Sequence, residues 1–197
     1  MTAVMMHEAT HVFQMGTFGK QVERLQKQQH LADENFNDDS IQDAFGKQTA
    51  FKTSVEQEIA LFFAASEAPS RRDVLRLARE ARLSMRQREH RYYRGKAAYQ
   101  SEAEDLWLTL EGSGQWSGFT WLQLPRSKGG GGIDHATAMQ AFAKRGGSWS
   151  QRLGLAIALT VQRLDPTGWK YRLFKDGRCT LVQLLDTSLS GASTKQR

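Results

Sequence analysis

Cys179 is the only cysteine in 197 residues, so no disulfide framework forms within the chain, and cysteine usage argues neither for nor against export. No apolar run approaches the ~20 residues of a membrane-spanning helix. The N-terminus lacks the basic flank and long apolar centre of a secretory signal. The expectation is a soluble chain without an address, cytoplasmic as written. The glycine-rich run from Pro125 to Gly132 does not end in the Gly-Lys-Ser/Thr of a phosphate loop, so no nucleotide site is read there. Internal repeats are absent as well.

What is present fits one compact domain, since 197 residues at 40% hydrophobic content can bury a real core but are few for two. Apolar spacing predicts helices over about Thr2 to Met15, with Gly16 and Gly19 as the stop, and over Thr49 to Ala65, ending before Pro69. Between Gln21 and Asp43 a poorly periodic helix gives way to a loop. Further helices are predicted over Asp134 to Lys144, capped by Asp134, and over Ser150 to Leu164, capped by Ser148 or Ser150. Trp169 to Asp186 reads as a strand pair or another helix. The fold expected is mainly α: a single helical domain over 1–186 with little or no β-sheet, followed by a polar, disordered tail over 187–197.

Net charge is +6, with a pI near 9.6, and its distribution is uneven. From Ser70 to Lys96 come Arg71, Arg72, Arg76, Arg79, Arg82, Arg86, Arg88, Arg91 and Arg94 around a helix whose apolar stripe is Val74, Leu77, Ala78, Ala81 and Met85. One reading is a phosphate-binding face for nucleic acid. The favoured reading is a solvated face paired at helical spacing with Asp73, Glu80 and Glu89, because no stacking or base-reading module accompanies it.

The most informative residues are His7-Glu8-Ala9-Thr10-His11. Positions four apart share a helix face, so His7 and His11 can offer two imidazole nitrogens to one zinc ion with Glu8 beside it. The bland alternative is a surface helix that carries two histidines. Further on, the run from Ala97 to Leu124 is rich in Leu and Trp and predicted to be buried. An acid inside it is costly unless paired or bound to a metal, which makes Glu111 the natural third ligand. Glu56, Glu58 and Glu104 stand in reserve.

Met5-Met6 followed by His7 to Gln14 resembles the active-site helix of the zincin-like metallopeptidases. Glu111-Gly112-Ser113-Gly114-Gln115-Trp116 resembles the segment on which the glutamate-type branch, the gluzincins, carries its third ligand. Ser148-Trp149-Ser150-Gln151 with Gly154-Leu155-Ala156 is similar to a later helix of uncharacterised bacterial members. The resemblance implies a zinc-dependent peptidase acting on a peptide or protein substrate. His7, His11 and Glu111 would hold Zn2+, and Glu8 would serve as general base. Tyr93, Tyr99 or His135 would assist the oxyanion, and Gln115 would orient a ligand. Zincins place a small sheet before the motif helix to hold the substrate. Only six residues precede His7, too few for two strands, so the expectation is a longer protein or a missing substrate platform. A zincin-like remnant that binds metal or a partner without turnover is the corresponding alternative.

Overall fold

A computed structural model describes residues 2–28, 37–143, 147–176 and 179–194. Among them every regular element is helical: α1 (Ala3–Gln28), α2 (Ser40–Phe45), α3 (Thr49–Glu67), α4 (Arg71–Tyr92), α5 (Gln100–Gln123), α6 (His135–Phe142), α7 (Trp149–Leu164), α8 (Gly168–Tyr171) and α9 (Leu181–Thr194). The mainly α single domain expected from the sequence is what the chain forms. No helix among the described residues is long and apolar enough to cross a membrane.

Helices α5 and α7 form the centre. Residues 108–114 of α5 and 152–161 of α7 are buried without a break, the pattern of helices surrounded on all sides. They meet through Gly112 and Gly154: a Cβ on Gly112 would lie 2.4 Å from the Gly154 backbone, and one on Gly154 2.6 Å from the Gly112 Cα. Around this pair α1 packs on α5, α3 on α4 and α7, and α9 on α7 and α5. An aromatic group of Phe45, Phe51, Tyr92, Tyr93 and Trp149 closes the end near α2.

Two expectations are corrected, and one that stood between two readings is decided. Helix α1 does not stop at Gly16 or Gly19 but runs to Gln28, because Phe18 and Leu25 beyond them are buried against the core, and that burial outweighs about 1 kcal/mol of helix cost per glycine. Of the two readings of Trp169 to Asp186, the helical one holds among the described residues, as α8 and α9. The predicted tail is helical through Thr194, since Leu181, Leu184, Leu185 and Leu189 form one buried stripe. Residues 195–197 of that tail, and 29–36 of the predicted loop, lie outside the described residues.

Helix α4 is capped by Ser70, whose hydroxyl accepts from the Asp73 amide at 3.1 Å and donates to its carboxylate. Most of its arginines are exposed, as a solvated face requires, but several also bond within the fold. Arg88 is fully buried, with a two-pronged contact to Glu58 and further bonds to Glu104 and the Tyr93 hydroxyl. Arg82 and Arg86 reach Asp186 on α9. Arg71 donates to the Leu164 carbonyl and Arg79 to that of Leu189. As the sequence suggested, Arg76 pairs loosely with Asp73 and Glu80, and Arg82 pairs with Glu89, while Arg72, Arg91 and Arg94 are exposed.

Candidate metal centre

Residues 7, 11 and 111 meet where α1 crosses α5. One turn of α1 stacks the two imidazoles, with ring centroids 4.5 Å apart and planes nearly perpendicular. His7 Nε2 and His11 Nε2 are 2.8 Å apart. Glu111 spans the pair, with Oε2 3.3 Å from His7 Nε2 and Oε1 3.2 Å from His11 Nε2. Among the described residues these three form the one group of three or more His, Cys, Asp and Glu suited to a metal ion, and one donor atom from each lies within 4.8 Å of the others.

The donor set fits zinc. Bonds of about 2.0–2.2 Å in a tetrahedral arrangement put neighbouring donors about 3.3–3.6 Å apart. Each imidazole meets its own oxygen of Glu111, at 3.3 and 3.2 Å, so a small turn of the carboxylate would bring one oxygen within reach of an ion held by both. The imidazole nitrogens at 2.8 Å need to part by only a few tenths of an ångström. Two neutral imidazoles and one carboxylate also leave a fourth position open, as catalytic zinc sites require.

The surrounding helices make room for this arrangement. Gly114 lies under the His7 ring, where a Cβ would stand 2.9 Å from Cε1 and Nδ1. Gln151, at the start of α7, donates from Nε2 to Glu111 Oε2 at 3.1 Å. The α7 N-terminus is itself held by Gln42, whose Oε1 accepts from the Trp149 amide. Gln14, one turn along α1, lies 2.9 Å from His11 Nδ1.

Electrostatics follow from the contacts. Burial pushes the Glu111 carboxyl up, but hydrogen bonds from His11 and His7 outweigh it and bring its pKa down to about 2. The hydrogen bond to Glu111 raises the His11 pKa against the opposing effect of burial, and the Glu8 charge adds a smaller push upward. Asp38 is raised by burial and by the Glu111 charge.

Glu8 follows His7 on α1 and is exposed. The reserve ligands are committed elsewhere: Glu56 pairs with Arg152, and Glu58 and Glu104 pair with Arg88. Neither Tyr93 nor His135 is at the centre, since the Tyr93 hydroxyl donates to Glu104 in the core and His135 bonds Gln123 and Glu67. The Tyr99 hydroxyl accepts from Gln100. It is Gln14 and Gln151, not Gln115, that hydrogen-bond the candidate ligands. The sequence carried a signal for Gln14, since a position three beyond His11 lies on the same helix face. Gln151 carried none beyond its place in the third resembling motif. Comparison of the chain with protein-family models, curated proteins and solved structures finds no match.

Proposed function

We propose that this protein is a zinc-dependent peptidase, with His7, His11 and Glu111 as ligands and Glu8 as general base. The observation that carries the reading is the convergence of His7, His11 and Glu111, a hundred positions apart in the chain, on one point. When bound, zinc supplies Lewis acidity and brings the pKa of an attacking water toward neutrality. Glu8, on the open flank of α1, takes the proton from that water and returns it to the departing amine. Glu111, ionised far below neutral pH, balances ligand charge and keeps both imidazoles turned inward. The substrate class is a peptide or an unfolded protein.

The test pairs metal content with turnover. Glu8→Gln is expected to retain zinc and lose about 10²–10⁴-fold in activity on an unfolded protein substrate. Wild-type protein that carries zinc yet cleaves nothing would favour the second reading, a metal- or partner-binding protein without turnover. That reading draws support from Val4, Met5, Val12 and Met15, which share a helix face with Glu8 on α1 and are all exposed. Nucleic-acid binding is not proposed, because the guanidinium groups of Arg71, Arg79, Arg82, Arg86 and Arg88 are engaged within the fold.

A further inference from the structure

Two glutamine amides frame the first turn of α7, and each can face only one way. The Trp149 amide donates to Gln42 at 2.9 Å, so it is the oxygen of Gln42 that faces α7. Gln151 meets Glu111 Oε2 at 3.1 Å, and a carboxylate ligand only accepts, so Gln151 presents its NH2 group there. Residues 149 to 151 belong to the turn whose amides find no partner within their own helix. Ser148 stands at the N-cap position of α7 yet makes no side-chain bond to that turn. Its hydroxyl lies instead 2.7 Å from that of Ser150. An acceptor for the turn comes from α2, where Gln42 is 107 positions away in the chain.

The end of a helix frays first, and a cap is what holds it. Beyond Gln151, α7 is tied down by Arg152, which donates to Glu56 at 2.8 and 2.9 Å, and by Gly154 against the Gly112 backbone. On the other side of Gln151, the hold on the turn is the bond from Trp149 to Gln42. We infer that Gln42 and Gln151 are positioning residues for the third zinc ligand: Gln42 caps α7 from α2, and the capped turn keeps the Gln151 amide on Glu111, so that its carboxylate stands oriented against His7 and His11. The inference rests on the metal reading of that site. Gln42 acts without a bond to any of the three ligands.

The consequence is that metal affinity depends on a residue of α2. Groups that orient a ligand typically account for about 10–100-fold in metal affinity, and here the orienting group is itself oriented by a second one. Helix α2 is short, but Ile41 beside Gln42 is 7% exposed and belongs to the core, so the cap is offered from a fixed point. Helix α4 supplies the contrast, since its cap is its own Ser70 and serves no ligand. Removing either cap costs stability. Only the α7 cap lies on the route to Glu111.

The test is zinc titration of full-length variants, beside urea unfolding and the side-chain NH2 signals of Gln151 in NMR of the metal-free protein. Gln151→Leu is expected to weaken zinc about 10–100-fold and Gln42→Leu about tenfold, and Gln42→Leu to displace the Gln151 NH2 signals. Gln42→Glu, which returns an acceptor to the Trp149 amide and suits a helix N-terminus, is expected to restore both. Ser70→Ala is expected to lower stability and leave zinc affinity within about twofold of wild type. A Gln42→Leu protein that binds zinc within about twofold of wild type overturns the inference. So does Ser70→Ala weakening zinc as much as Gln42→Leu, because affinity then follows stability alone. If Gln42→Leu does not fold, Gln151→Leu decides, and undiminished zinc affinity there is equally contrary. Wild-type protein without zinc affinity, whose Gln151 signals still move in Gln42→Leu, would refute the metal reading and uphold the tether from α2 to Glu111.

Discussion

Helix α4 ties five of its arginines to other parts of the fold, with Arg82 and Arg86 on Asp186, Arg88 between Glu58 and Glu104, and Arg71 and Arg79 on backbone carbonyls. Helix α1 turns apolar side chains outward: Met5, Val12 and Met15 repeat at helical spacing with Glu8 among them, at 56%, 77% and 61% exposure. A long guanidinium stem can bend to a partner on another helix and still bury its methylenes. An apolar face has no such freedom and is satisfied only by being covered. The two helices therefore do different work. Helix α4 is a structural clasp, and the outer side of α1 is apolar surface beside the candidate metal centre, of the kind that marks interaction sites when contiguous.

The largest expected effect breaks the clasp. Arg88→Met leaves two buried carboxylates without their cation, and urea unfolding is expected to show a loss of about 3–5 kcal/mol. A loss below about 1 kcal/mol would mean that α4 is not held by its charges. Next comes the glycine contrast. Gly114→Ala puts a Cβ against the His7 ring, and strain of about 1–3 kcal/mol is expected, visible chiefly as weakened zinc binding in titration. Gly16→Ala, on the open side of α1 with nothing within 4 Å of its Cβ, is expected to stabilise by about 0.5–1 kcal/mol.

A pH dependence sharpens the clasp further. Burial lifts the Asp105 pKa from 3.8 to about 7, with the Thr180 hydrogen bond and the Arg82 charge opposing. The folded state therefore holds this proton more tightly than the unfolded chain does. Its contribution to stability is complete below pH 3.8 and declines as pH rises through about 7. Chemical denaturation across that window is expected to show the decline, and Asp105→Asn to flatten it. The smallest effect belongs to α1: Val12→Ser is expected to change stability by no more than about 0.5 kcal/mol. A larger cost would show that this face is covered in the protein as it exists.

Much of the site was legible because helical spacing is a strong constraint. His7 and His11 stack from sequence alone, and the cost of burying an unpaired acid singled out Glu111. The length of α1 was not legible, because Gly16 and Gly19 read as a stop until Phe18 and Leu25 are seen in the core. The fate of the arginines was hidden for a similar reason: Asp186 reaches α4 from α9, 104 positions away, and Glu58 from the facing side of α3. Gln14 stood in plain view beside His11. Its bond to the Leu110 carbonyl, 96 positions away, is not written in that spacing.

Zinc stoichiometry tests the central claim most directly, by elemental analysis of wild-type and Glu111→Gln protein purified side by side. One zinc per wild-type chain, lost in the variant while the helical fold persists, is the result expected of a site built from both histidines and this carboxylate. A wild-type chain that takes up no zinc, or a variant that holds it as firmly, would contradict the account.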